Sequence, residues 1–274
     1  MVERTPIPAE KFKKEEGHEE VERSHDQMRA FIGELERTSH FTREQLLDGK
    51  ERISSPEGGE YTIRRITNAK DPTIKKIHGA MIKEFGKEES ETLTWLRHTV
   101  QKKINNYHVA ETPEGEVATL SNTQYLELEA VKGHENDPKE SIIPVWHIIS
   151  DRAYRNKGLG SELYQSFYQD ALLEAKKRGN VIKGVIGEAV GSVEGFLNRM
   201  GRKRMYFEDR KGNVHEVPYM CPPVDMDDET GEPREEPMPE HVMLRLLNGE
   251  QKMPVEDLLR MVKAMYLEYT GVAD

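Results

Sequence analysis

Apolar residues recurring at two different periods along one chain predict an α/β fold, and three stretches carry that prediction. Tyr61-Thr62-Ile63-Arg64-Arg65-Ile66 alternates as a half-buried strand does. Leu163, Phe167, Ala171 and Ala175 recur as the buried stripe of a helix. Between the apolar strand Ile142-Ile143-Pro144-Val145-Trp146-His147-Ile148-Ile149 and that helix lies a basic, glycine-containing joint, Arg155-Asn156-Lys157-Gly158-Leu159-Gly160-Ser161.

Taken in order, residues 1–23 are rich in Lys and Glu and read as a mobile arm. Ser24 caps a helix over 24–37 that carries Met28, Phe31, Ile32 and Leu35, and Thr42 caps a short one over 42–47. Ser54-Ser55-Pro56-Glu57-Gly58-Gly59 breaks the chain, so 1–59 form an arm with a helical extension and 60–249 the main domain. Asp71-Pro72 opens a helix burying Ile74, Ile77, Met81, Ile82 and Phe85, and another spans 90–104 through Leu93, Leu96 and Val100. Residues 107–111 and 116–128 make a hairpin around Pro113-Glu114-Gly115, and a polar loop over 132–140 leads to the strand before the joint. After the long helix come the strand Val181-Ile182-Lys183-Gly184-Val185-Ile186 and a short helix ending in Phe196-Leu197-Asn198-Arg199-Met200-Gly201. Strands at 203–207 and 241–247 flank an acidic, proline-rich loop at 222–239. Pro254 starts a closing helix within 250–274, with Val255, Leu258, Leu259, Val262, Met265 and Tyr266 as its apolar positions. That helix covers a sheet edge or pairs with a second copy in a homodimer.

A formal net charge of −10 argues against nucleic acid as the main partner, because neutralising phosphates needs a basic face. The single cysteine, Cys221, excludes an internal disulfide framework and a cysteine zinc cluster, while His215, Glu216 and His241 are too scattered in sequence for a zinc site, so no metal is expected. No apolar run approaches the roughly twenty residues that span a bilayer, and the charged N-terminus is no secretory signal. A soluble, cytoplasmic protein without a membrane partner is the expectation.

Glycines and basic residues where a strand enters a helix suit a pyrophosphate: the main chain approaches closely, the first helical amides are unpaired, and the dipole favours an anion. The spacing is neither Gly-x-x-x-x-Gly-Lys-Ser/Thr nor Gly-x-Gly-x-x-Gly. Arg155-x-x-Gly158-x-Gly160 matches Arg/Gln-x-x-Gly-x-Gly/Ala, and Phe196 to Gly201 is similar to a Phe-Tyr-x-x-x-Gly segment. In these two motifs, and in the strands between which they fall, the chain resembles the GCN5-related N-acetyltransferase (GNAT) family from Tyr61 to about Phe207. The resemblance implies an α/β (α+β) fold with a mixed, mostly antiparallel central sheet flanked by helices, here with N- and C-terminal helical extensions. It also implies acetyl-CoA (coenzyme A) as co-substrate and a small-molecule amine or peptide as acceptor; the 222–239 loop, read from its composition as long and exposed, is a candidate lid over the acceptor site.

The same resemblance places the main chain of Ile148, Ile149 and Ser150 against thioester and pantetheine. The amides of Asn156, Lys157, Gly158, Leu159, Gly160 and Ser161 would cradle the pyrophosphate, with charge from Arg155 and Lys157, and Asn198 would hydrogen-bond CoA. The positions where relatives hold a base are Trp146 and Pro144, which accept no proton. Two other residues are candidates. His147 serves only if a bulge shifts the register, and is otherwise a packed histidine; Glu188 lies just past the next strand and is otherwise a solvated or capping side chain. The family's tyrosine acid is replaced by Leu197, and Tyr206 either reaches inward or packs in the core. The implied activity is acetyl transfer to a primary amine by direct transfer in a ternary complex. The Leu197 departure leaves open a non-catalytic acyl-CoA-binding regulatory module, and a longer acyl-CoA as donor is a further alternative. The acidic surface favours a cationic acceptor.

Overall fold

The computed structural model describes residues 50–54, 59–87, 90–131, 133, 137–189, 194–208, 211–217, 219–221, 238–247 and 253–270. The arm at 1–23, the helices expected at 24–37 and 42–47, and residues 222–237 of the acidic loop lie outside the described residues.

Among the described residues, a ten-stranded sheet runs β1 (Lys50–Ser54), β2 (Glu60–Ile66), β3 (Asn106–Glu111), β4 (Val117–Thr123), β6 (Glu140–Ser150), β7 (Val181–Ala189), β12 (Met238–Leu246), β11 (Tyr219–Cys221). The short β5 (Leu126–Glu127) pairs with β6, and β8 (Lys203–Arg204) with β12. β9 (Tyr206–Glu208) and β10 (Val214–Glu216) form a separate hairpin. Among the described strands only β6 and β7 are parallel, so the sheet is mixed and mostly antiparallel.

Several elements depart from the sequence reading: Val214–Glu216 and Tyr219–Cys221 are strands it did not have, β12 starts at Met238 within the loop expected over 222–239, and three more changes bear on the sheet. Lys50–Ser54 pairs with β2 from Lys50↔Arg64 to Ser54↔Glu60, so the sheet takes in residues ahead of the main domain expected from residue 60. Lys-Glu-Arg-Ile-Ser has one apolar residue and gives periodicity nothing to register, while its charges suit an edge strand. The strand expected over 116–128 stops at Thr123, where Gln124 donates its amide to Pro144, and resumes as β5 on β6. The strand expected over 203–207 divides, Lys203–Arg204 joining β12 and Tyr206–Glu208 turning out to β10.

Helix α3 (Leu159–Arg178) covers one sheet face, burying Tyr164, Phe167 and Ala175 against Ile143, Val145 and Val185, and Leu163 against Ile63 and Ala110. The opposite face carries α1 (Thr73–Phe85) and α2 (Leu93–Lys102), which enclose Ile66, Val109, Leu120 and Ile149. On that same side α5 (Val255–Thr270) sets Met261 and Met265, both 0% exposed, on Ile142, Ile186 and Val242. Each such buried side chain stabilises by roughly 1.5–3 kcal/mol. The closing helix thus lies on the face of its own sheet, and Val255 and Leu259, expected among its apolar contacts, face solvent at 46% and 61% exposure.

Candidate functional site

Pairing between β6 and β7 runs from Glu140↔Val181 to Pro144↔Ile186 and ends there. Beyond it β6 stays with β4 through Thr119↔Ser150, while Gly187, Glu188 and Ala189 pair with β12. The two strands part as a wedge, and the main chain of Ile148, Ile149 and Ser150 keeps ladder partners on its β4 side alone among the described residues. Gly187 stands where the strands part. A β-carbon there would lie 2.7 Å from both the Val145 carbonyl and the Arg202 guanidinium, so no side chain fits. Arg202 is 1% exposed; its Nε donates to the Tyr164 hydroxyl at 3.1 Å, and its Nη2 finds no acceptor among the described residues.

The joint follows β6 directly. Asp151 caps a short 3-10 turn, Arg152–Tyr154, by accepting from the Ala153 amide at 3.0 Å. Asn156 (φ 65°) and Gly158 (φ 78°, ψ −9°) are both left-handed, a conformation Asn tolerates and Gly adopts without strain. Gly158 caps α3, so the amides of Leu159 and Gly160 open the helix with no carbonyl of their own helix to bond, at the positive end of its dipole. Ser161 departs from the sequence expectation: its amide donates to the Gly158 carbonyl at 2.9 Å and is taken up by the turn. A β-carbon on Gly160 would sit 3.4 Å from the Phe196 ring and 3.9 Å from Ile148. The second motif, on α4 (Glu194–Arg199), therefore packs directly on the loop.

Three side chains of the loop have defined places. Arg155 Nε donates to the Ser150 carbonyl at 3.0 Å and its Nη2 pairs with Glu84 on α1 at 3.0 Å, tying the loop to strand and helix. Lys157 Nζ stands 5.5 Å from the Tyr154 ring centroid. Leu159 is buried among Tyr61, Ala118 and Leu163, leaving its main chain to the loop. Asn198 is exposed and accepts from Lys203 Nζ at 3.3 Å.

The condition set for His147 is met. The β4–β6 ladder steps from Asn122↔His147 to Thr123↔Val145, leaving Trp146 as a bulge. The bulge turns His147 to the side of α1, where its ring lies 5.0 Å from Phe85. Burial pushes the imidazole down to about 4, so at neutral pH it is uncharged and a weak proton acceptor. Glu188, on the parting stretch of β7, accepts a hydrogen bond from the Tyr219 hydroxyl of β11. It sits on the side of Ile186, opposite α3, so His147 and Glu188 belong to the same sheet face on the two strands that separate.

Sequence reasoning missed Glu240. The registers Glu188↔Val242 and Tyr219↔Glu240 place it diagonal to Glu188 on the same face. Burial, and then the Glu188 charge, push its carboxyl up to about 7 against the opposing pull of His241. Nothing local in the sequence marks Glu240; the only signal was its alternation with Val242 and Leu244 in β12. Tyr206 does not reach inward: its side chain is 53% exposed in the β9–β10 hairpin, which leaves the main sheet. Leu197 is 5% exposed and packs with Ala189 and Met243. Glu216 and His241, scattered in sequence, meet as a pair with Nδ1···Oε1 at 2.5 Å, while His215 stacks on Phe207.

No family profile and no curated protein matches the chain. Among solved structures it is similar to Arabidopsis thaliana NAA60 in complex with acetyl-CoA, at 9% identity over 68% of this chain and 98% of that one, with a TM-score of 0.45. It is similar to the GNAT domain of S. lividans PAT at 10% identity over 76% and 99%, TM-score 0.41. It is also similar to the aminoglycoside N-acetyltransferase AAC(6')-Iy in complex with CoA, at 12% over 57% and 98%, TM-score 0.41. These likenesses carry no conclusion about activity. What bears on it is the wedge between β6 and β7, followed at once by the left-handed loop. In these features the architecture resembles the GNAT fold. Among the described residues, no helix is long and apolar enough to cross a membrane.

Proposed function

We propose that this chain is an acetyl-CoA-dependent N-acetyltransferase that passes an acetyl group directly to a primary amine in a ternary complex. The parting of β6 from β7 immediately before the Gly158-capped helix carries the reading. The loop suits a CoA pyrophosphate because Gly158 takes the left-handed turn and Gly160 has no side chain to cover the main chain. The main chain of Asn156 to Gly160 would hold the pyrophosphate with Lys157 alongside, Arg155 would hold the loop, and Ile148 to Ser150 would line the pantetheine arm. Bound acetyl-CoA supplies an acetyl group activated as a thioester.

The attacking amine must be neutral, so the protein must accept its proton. Glu188 and Glu240 are like charges in a half-buried place, an arrangement that leaves one of them protonated near neutral pH and the pair poised to take a proton there. Two carboxylates at the open end of the wedge also favour a positively charged acceptor, a small amine or a peptide. His147 is a poorer base because burial holds it neutral down to about pH 4. Incubation with acetyl-CoA and a panel of amines tests the reading: free thiol should appear only when an acceptor is present. Glu188→Gln should lower kcat by about 10²–10⁴-fold and remove the pH–rate limb near 7.

Leu197 favours a second reading, a non-catalytic acyl-CoA binder, because a buried leucine has no proton for a leaving thiolate. CoA binding with no acceptor-dependent thiol release would select it. Thiol release with a longer acyl-CoA but not with acetyl-CoA would select a longer-chain acyltransferase.

A further inference from the structure

A cavity of about 620 Å³ lies away from the Gly158 loop, beside the stretch where β6 and β7 are still paired, between the C-terminal half of α3, the end of α2 and the ends of β2 to β4. It meets α3 from Phe167 to Arg178, and at 1.5 Å rise per residue that stretch is about 14–30 Å along the helix from Gly158. It is therefore separate from the proposed acetyl-CoA site, and nothing in its interpretation depends on that reading.

Its charge runs against that of the molecule. The whole chain carries −10, yet the cavity is lined by Arg65, Lys103, Lys177 and Arg178 against only Asp170 and Glu174. Both carboxylates are already answered. Asp170 receives Arg65 Nη1 at 3.1 Å and His108 Nε2 at 2.9 Å, and Glu174 receives Arg178 Nε at 2.6 Å. Burial pushes the Asp170 carboxyl up, but His108 and Arg65 outweigh it and hold the group below the usual carboxylate range. Lys103 and Lys177 have no partner among the described residues, so the lining keeps two uncompensated positive charges. His108 is 1% exposed, and its Nδ1 is buried without a partner. A protein seldom leaves such a nitrogen unsatisfied. Ile143 and Phe167 give the cavity an apolar wall.

We propose that this cavity is a second binding site, taking a small anion that presents a carboxylate or phosphate to Lys103, Lys177 and a doubly protonated His108, whose Nε2 then donates to Asp170 and whose Nδ1 donates to the anion, and that rests a compact apolar body on Phe167. Such pockets combine an apolar lining with a few convergent polar groups. The unpaired lysines supply attraction, and the fixed Arg65–Asp170–His108 chain sets the imidazole in place.

The test uses the full chain with saturating CoA, so that any phosphate binding at the Gly158 loop is suppressed. The readout is the His108 Cε1–H resonance, assigned with His108→Gln. Inorganic phosphate and succinate are titrated separately, with sodium chloride at matched ionic strength as the control. A saturable shift with either anion is expected, and which anion gives it tells phosphate from carboxylate recognition. Lys103→Gln/Lys177→Gln, which removes two exposed charges, should weaken that binding by about tenfold or more without lowering the melting temperature. No saturable shift with either anion, a shift equally produced by chloride, or undiminished binding in the double variant would overturn the proposal.

Discussion

At Gly160 an added β-carbon would already touch the Phe196 ring at 3.4 Å, so a branched side chain there would have to displace it. Gly160→Val should push α4 off the loop and weaken CoA binding by about tenfold or more. The melting temperature should hardly move, because the site lies at the rim rather than in the core; calorimetry and thermal melts check the two parts. His147 makes a different prediction. Its folded pKa of about 4 lies below the ordinary 6.5, so between those values the unfolded chain binds a proton that the folded one refuses. Stability should therefore fall as pH drops from about 6.5 to about 4, and His147→Gln should flatten that part of the melting profile. Glu91 has the opposite sign. Burial pushes its carboxyl from the ordinary 4.5 to about 7, against the hydrogen bond donated by Tyr107, so stability is lost as pH rises through that window. Glu91→Gln should melt higher than the parent at pH 8 and alike at pH 4.

Among the elements, those with a long apolar period were legible from the chain alone. The stripe Leu163, Phe167, Ala171, Ala175 is the buried side of α3, and Ile74, Ile77 and Met81 that of α1. What failed did so where pattern is weak or interrupted. β1 has a single apolar residue, and the bulge at Trp146 reverses the alternation of β6, which no two-residue period can show. The closing helix is a mixed case, its start at Pro254 and the burial of Leu258, Met261 and Met265 readable, while Val255 and Leu259 lie outside. Met261→Ala should cost about 2–5 kcal/mol in denaturant unfolding with an unchanged slope, since that side chain fills the space over Ile186 and Val242. A loss of much under 1 kcal/mol would mean that α5 is not docked on the sheet.

Across the whole molecule, the two halves of the candidate site differ in how they are encoded. The loop from Arg155 to Gly160 is local, so backbone freedom and helix-end electrostatics could be argued from consecutive residues. The carboxylate pair is not. Glu188 and Glu240 meet only because β7 and β12 are neighbours, and Tyr219 joins them through β11. Only register, which the sequence does not announce, brings such residues together. The same holds for Arg65, His108 and Asp170, from three separate elements. Calorimetric titration of coenzyme A into the full chain tests the central claim most directly. One molecule should bind per chain, with affinity lowered at least about tenfold by Gly158→Val, which forces a branched residue into a left-handed turn. No measurable binding, or binding to that variant as tight as to the parent, would contradict the assignment of the loop.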